Sequence, residues 1–181
     1  MQDSTIYSIG HGNKSFEEFL VELKEHQIDY VFDVRSSPIS KYNFHFNRSW
    51  LEVDLPNNSV VYEFLGEYLG GLPKNRKYYT NGKVDYSKLS ASDFFIEGIK
   101  LLIEANNESL RIALMCSETK PEECHRSKLI GRELLKHNIS INHITSDGIK
   151  SQEEIIEKLT KGFGAQDLFG EKDFTSRNTY L

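Results

Sequence analysis

The chain has 181 residues, a formal net charge of −5, 38% hydrophobic and 27% charged residues, and two cysteines. That length suits one globular domain with a sizeable core. The acidic balance excludes wholesale nucleic-acid binding through bulk charge but leaves room for a local basic patch. Two cysteines cannot build a disulfide framework, and no stretch approaches the roughly 18 apolar residues of a membrane-spanning helix.

The opening MQDSTIYSIGHG has neither a basic n-region nor a long apolar run, so no secretory leader is read and a reducing, cytoplasmic setting is expected. Residues 5–9 are a β-rich run stopped by Gly10-His11-Gly12, a strand ending in a tight turn. Ser15 and Glu18 have capping-box spacing, and Phe16, Phe19, Leu20 and Leu23 recur at helical spacing to about His26. Asp29–Val34 is a second strand, apolar enough to be buried on both faces. The stretch from Arg35 to Trp50 then mixes Pro38, several hydroxyls, Arg35, Lys41 and Arg48 with Tyr42, Phe44, Phe46 and Trp50. A connection of that length in a compact domain is read as functional or as a lid.

A short helix at Ser49–Leu55, a third strand at Val60–Phe64 and a glycine-rich loop, LGEYLGGLP, follow. Pro73–Tyr86 is basic, aromatic and turn-forming. Arg48, Lys74, Arg76 and Lys77 with Tyr78 and Tyr79 are either a solvated loop or the charge-plus-ring combination that a single strand or a base needs. Ser92–Asn106 is an amphipathic helix with Phe95, Ile99, Leu102 and Ile103 on one face. The stretch Leu110–Leu135 comes next: a buried strand at Arg111–Met115, a polar loop with Cys116, Glu118, Cys124, His125 and Arg126, and a helix at Ser127–His137. The last strand is Ile139–Ile144. Ser151 and Glu154 open a helix ending near Gly162, and the tail from Gly164 is weakly structured or an arm that packs back.

Alternating strands and helices predict an α/β fold: a single three-layer domain over 1–146, with a mostly parallel sheet and helices on both faces. Residues 147–181 form a helix and tail packed on it. Ligands in such sheets bind outside the carboxyl ends of the strands. The first strand ends at Gly10-His11, the second at Asp33 and Arg35, the third at Leu65-Gly66 and the central one at Cys116 and Glu118, so the polar residues gather at one end.

A strand that ends in a thiol and feeds a helix N-terminus offers unpaired N–H groups and a positive dipole end to an anion, and favours thiolate. Cys116 is therefore either a small buried hydrophobe or a nucleophile. Arg126 has a planar fork suited to phosphate or carboxylate. Rhodanese-like sulfurtransferases and cysteine phosphatases share this layout, but here nine residues separate Cys116 from Arg126 instead of about five, so the similarity is one of layout and not of motif. Cys116 or Glu118 is the candidate nucleophile or base, and His11 or His125 the candidate proton carrier. Asp33 and Arg35, two apart on a strand, face the same side and either pair internally or join the site. His45, between two phenylalanines, contacts a ligand or packs. His26, His137 and His143 are assigned no role. Cys116, Cys124 and His125, with Glu118, are also donors that zinc accepts. Their spacing matches no structural-zinc signature, and adjacent Cys and His rarely face one ion. A metal-free anion site is preferred, and no cofactor is expected.

Four separated blocks bear a resemblance to a family catalogued as domain of unknown function 488. They are YSIGHGNKSFEEFL, VFDVRSSPISKYNFHFN, YEFLGEYLGG and LMCSETKPEECHRSKLIGREL, the last resembling the family's Cys-x-Glu…Cys-His-Arg signature. The similarity runs from about Ile6 to Ile144, with Gly12 where Ser is usual and Lys41-Tyr42 where two basic residues are expected. Residue matching implies that His11, Asp33, Arg35, Ser40, Cys116, Glu118, Cys124, His125 and Arg126 are the family's polar cluster. It implies no reaction. The preferred reading is a protein that binds or acts on a phosphate-bearing ligand, a nucleotide or nucleic acid, at the strand ends. The alternatives are a non-catalytic nucleic-acid-associated module using the Pro73–Tyr86 and Arg35–Trp50 loops, and a metal-dependent hydrolase at the Cys/His loop.

Overall fold

A computed structural model describes residues 4–160, 166–167, 170–171 and 174–180. In chain order the elements are β1 (Ile6–Gly10), α1 (Phe16–Glu25), β2 (Tyr30–Asp33), α2 (Arg48–Asn57), β3 (Val61–Phe64), α3 (Gly66–Leu69), β4 (Tyr79–Thr80), β5 (Lys83–Val84), α4 (Tyr86–Ser90) and α5 (Asp93–Asn107). Then come β6 (Ile112–Cys116), a π turn over Arg126–Gly131 continued by α6 (Arg132–Leu135), β7 (Asn142–Thr145), β8 (Gly148–Ser151), α7 (Gln152–Thr160), and the short pair β9 (Gln166–Asp167) and β10 (Gly170–Glu171). Six strands form one sheet in the order β3-β2-β6-β1-β7-β8, parallel except for β8 at the edge. The expected α/β architecture, a mostly parallel sheet with helices on both faces, is what forms.

Every residue of β6 is buried, and its side chains alternate between two cores. Ile112, Leu114 and Cys116 pack with Phe95, Ile99 and Leu102 of α5 and with Leu129, Ile130 and Leu134 of the π turn and α6. Ala113 and Met115 face the other way, onto Phe19, Leu20 and Leu23 of α1 and Leu51 and Leu55 of α2. Cys116 therefore ends the row on the α5 face. The register pairs Gly10 with Cys116 and Asp33 with Met115, so the strands stop level and their loops emerge side by side.

Local chemistry explains the helix starts. The Ser15 hydroxyl accepts from the Glu18 N–H at 3.1 Å while the Glu18 carboxylate accepts from the Ser15 N–H at 2.7 Å. Ser151 and Glu154 do the same for α7, at 3.2 and 2.6 Å. Other expectations need correction. The glycine-rich loop after β3 holds the one-turn helix α3. The last predicted strand begins three residues late, at Asn142, and is followed by a hairpin to β8, whose exposed and half-exposed residues Gly148–Ser151 carry no alternating pattern. The predicted end of the last helix near Gly162 lies outside the described residues. Of the tail, Phe174–Tyr180 packs back as an arm: Phe174 is buried, and the Ser176 N–H donates to the Val84 carbonyl at 3.0 Å. Among the described residues no helix is long and apolar enough to cross a membrane.

A buried polar chain crosses the α5 face from the π turn to the sheet and on to α7. Arg126 donates to the Ser8 hydroxyl at 3.3 Å, Ser8 donates to His143 Nδ1 at 2.7 Å, and His143 Nε2 donates to Gln152 Oε1 at 2.8 Å. The Gln152 amide in turn donates to the Ser127 carbonyl at 3.0 Å. With Nδ1 accepting from Ser8 and the Nε2–H given to Gln152, His143 is neutral; burial brings its pKa down to about 4. An unfolded histidine takes up its proton near pH 6.5, so folding excludes a proton between the two values. Stability is full above pH 6.5 and declines as pH falls toward 4. Between pH 7 and 5 this one group lowers the unfolding free energy by roughly 2 kcal/mol. Urea unfolding of the wild type and of His143→Gln at both values checks this: the variant loses less on acidification than the wild type does.

Candidate functional site

The sheet's pairing runs past its last residues. The His11 N–H donates to the Cys116 carbonyl at 2.9 Å and the Gly12 N–H to the Ser117 carbonyl at 3.0 Å, tying the turn after β1 to the loop after β6. Gly10 permits the approach, because a Cβ there would stand 2.0 Å from the Glu118 carbonyl oxygen.

Beside this seam, Asp33 and Arg35 form a buried bidentate pair. Arg35 Nε donates to Asp33 Oδ1 at 2.9 Å and its Nη2 to Oδ2 at 2.6 Å. Tyr62 donates to Oδ2 at 2.8 Å, and Arg35 Nη2 also reaches the Phe46 carbonyl at 2.7 Å. Burial and the Asp33 carboxylate push the Tyr62 phenol well above its usual range. The remaining Arg35 nitrogen, Nη1, donates to His11 Nε2 at 3.3 Å, while His11 Nδ1 donates to the Gly12 carbonyl at 3.0 Å. The His11 ring lies stacked on Phe46 with centroids 4.3 Å apart. Burial and then the Arg35 charge lower its pKa to about 4, so this imidazole is neutral with its lone pair facing a guanidinium.

The floor beyond them holds both thiols. Cys116 Sγ donates to Glu118 Oε2 at 2.9 Å and lies 4.0 Å from His125 Nδ1. Cys124 Sγ lies 3.6 Å from the same nitrogen and accepts from Arg126 Nε at 3.1 Å. His125 Nε2 donates to the Val34 carbonyl at 3.0 Å, which turns Nδ1 toward the sulfurs. Gly71 lies flat against that ring; a Cβ would be 2.6 Å from the ring's Cγ. Burial alone would raise the Cys124 pKa, but the neighbouring Cys116 side chain and the charge of Arg126 bring it well below the thiol range, while the Cys124 sulfur together with burial pushes Cys116 well above it. Burial disfavours a charged His125, yet Cys124 beside it raises its pKa overall. The cluster thus sets two sulfurs against a carboxylate, an imidazole and a guanidinium.

Above lies a cleft of about 390 Å³, into which His11, Arg35, Ser40, Cys116, Glu118 and His125 all look. Residues from three strand ends, the Arg35–Trp50 loop and the loop before the π turn are therefore brought together. Three expected site residues are not. Arg126 is 1% exposed and lies beneath the floor, its fork taken by Cys124, Ser8 and the Glu118 carbonyl. Asp33 is fully buried behind Arg35. His45 Nε2 bonds to the Lys14 carbonyl at 3.2 Å and does not line the cleft. The Pro73–Tyr86 segment turns its rings inward: Tyr78 and Tyr86 are buried in the core, and the Tyr79 hydroxyl donates to the Pro73 carbonyl at 2.9 Å. That segment therefore offers little stacking surface, whereas Tyr42, Phe44 and Trp50 of the Arg35–Trp50 loop are exposed. Sequence reasoning missed Ser8 and His143, although a hydroxyl inside the apolar run of β1 is a signal of a buried polar chain. Gly71 and the arm residues Ser176, Arg177 and Tyr180, which also line the cleft, gave no such signal.

A family model described as Domain of unknown function DUF488 matches residues 15–132. The match covers more than half of the chain, and the chain belongs to that family. Neither a curated protein nor a solved structure matches the chain.

Removing one partner of a buried ion pair leaves the other charge uncompensated. Asp33→Asn is expected to cost about 3–5 kcal/mol of stability, measured by chemical denaturation. A loss below about 1 kcal/mol, the worth of an exposed pair, would contradict the burial described.

Proposed function

We propose that this member of the family binds a small phosphate-bearing ligand, a nucleotide or a nucleic-acid end, in the cleft at the carboxyl ends of the strands, and acts on it through Glu118. The observation that carries the reading is the convergence of side chains from separate strand ends on one cleft of about 390 Å³, a volume suited to a small molecule. The Ser36, Ser37, Ser40 and Ser117 hydroxyls line it. Lys41, at its rim, makes no ion pair among the described residues, whereas Arg177 is paired with Glu123 and Arg35 with Asp33. Arg35 still has one N–H to give, because Nη1 carries two and spends one on His11. A phosphate held by Lys41, that N–H and the serine hydroxyls would lie over Cys116 and Glu118.

The Glu118 carboxylate already accepts a hydrogen bond from a thiol and faces the cleft, as a general base must. His11, neutral with both ring nitrogens committed, orients Arg35 and moves no proton. Arg126 acts from below, donating to the Cys124 sulfur.

Calorimetric titration with inorganic phosphate, adenosine monophosphate and a 5′-phosphorylated oligonucleotide tests the reading. At least one binds, and Lys41→Ala weakens it about tenfold, a change of about 1.4 kcal/mol. Glu118→Gln retains binding and loses turnover in a phosphoester panel. Phosphate-bearing compounds that fail to bind at millimolar concentration, or an affinity indifferent to Lys41→Ala, would remove it.

A further inference from the structure

The floor of the cleft has a property that the phosphate reading does not use. The Sγ atoms of Cys116 and Cys124 and the Nδ1 of His125 lie within 4.8 Å of one another, and all three residues are buried. Glu118 Oε2 joins them at 2.9 Å from Cys116 and 3.5 Å from Cys124. We propose that Cys116, Cys124 and His125 form a binding site for a divalent ion of the Zn²⁺ class, with the fourth corner open on the cleft side, beside Glu118.

The spacing is that of a coordination shell. With zinc–sulfur bonds of about 2.3 Å and zinc–nitrogen or zinc–oxygen bonds of about 2.0–2.1 Å, a tetrahedron has sulfur–nitrogen and sulfur–oxygen edges of about 3.6 Å. The two observed sulfur–nitrogen edges, 3.6 and 4.0 Å, fall near that value.

The surroundings are those of a metal-ligating histidine and thiolate. The Nε2–H of His125 is anchored on the Val34 carbonyl at 3.0 Å, which leaves Nδ1 as the coordinating atom, and Gly71 against the ring fixes its plane. Arg126 Nε, at 3.1 Å from Cys124 Sγ, is an outer donor to a metal-bound sulfur. Charge closes as well: two thiolates and a carboxylate are balanced by a divalent ion and the buried guanidinium of Arg126. Two soft sulfurs with an imidazole favour zinc over the harder magnesium or calcium. Because Cys116, Glu118 and His125 line the cleft, one corner of the shell is open to a ligand oxygen or a water, the arrangement of a reactive centre more than of a sealed structural one. The site stands on the donor cluster alone and holds whether or not the cleft takes phosphate.

The test uses the full chain, expressed with zinc in the medium and purified without metal-affinity chromatography. Elemental analysis is expected to find about one equivalent of Zn²⁺ per chain. Co²⁺ added to chelator-treated protein gives a thiolate-to-metal charge-transfer band that saturates at about one equivalent. Cys116→Ser, nearly isosteric and checked for folding by circular dichroism, weakens Co²⁺ binding at least tenfold, and Glu118→Gln keeps the band. Folded wild-type protein with under about a tenth of an equivalent of metal and no charge-transfer band would overturn the proposal. So would a Cys116–Cys124 disulfide in fresh protein that, once reduced, still takes up no Co²⁺. Phosphate titration of the metal-free protein is read separately: its failure beside a normal metal stoichiometry removes the phosphate reading and leaves the metal site standing.

Discussion

A guanidinium that is 1% exposed must find its counter-charge inside the protein, and the region around the cleft is arranged around that demand. Arg126 meets it with the Cys124 sulfur, the Ser8 hydroxyl and the Glu118 carbonyl. Those partners come from two segments, the middle of β1 and the two ends of the loop between β6 and the π turn. One side chain thereby fixes the path of the loop that carries Glu118, donates to the Cys124 sulfur, and begins the polar chain through His143 to Gln152. The desolvation cost is met by hydrogen bonds on every side, and the buried side-chain polar atoms of the described residues all have partners.

Arg35 is the second buried cation, and its pairing with Asp33 has the same consequence. Both arginines that a sequence reading offers to an incoming anion are largely spoken for by the protein itself. Affinity for a negatively charged ligand must then come from Lys41, the serine hydroxyls and the spare Arg35 N–H, or from a cation held among the thiols. The two buried pairs make the floor rigid, and the Arg35–Trp50 loop and the C-terminal arm shape the walls. Preorganised groups of this kind lose little entropy when a ligand arrives.

Much of this was legible in the chain. Alternating strands and helices predict the parallel sheet, and a parallel sheet places His11, Arg35, Cys116 and Glu118 on one rim because all its strands point the same way. The direction of Arg126 was not legible, since an arginine at a helix start reads as a group reaching outward, and only the packed structure shows Ser8 waiting below it. The π turn also hid: nothing in RSKLIG distinguishes a five-residue turn from an α turn. The rule that adjacent Cys and His face apart holds within a strand. It fails here because Cys124 is extended (φ −108°, ψ 151°) and His125 helical (φ −64°, ψ −18°), and the change of conformation between them swings both side chains to one side. β8 was missed because an edge strand open to solvent needs no apolar alternation.

The exchange of the Arg126 Nε proton with water, followed by nuclear magnetic resonance, probes the account most directly. A guanidinium locked beneath the thiol floor gives a resolved Nε–H signal that exchanges far more slowly than those of exposed arginines such as Arg48, and that shifts when Cys124 is replaced by alanine. An Arg126 signal exchanging as fast as that of Arg48, and unmoved by the replacement, would place the side chain in the cleft and contradict the arrangement on which the rest depends.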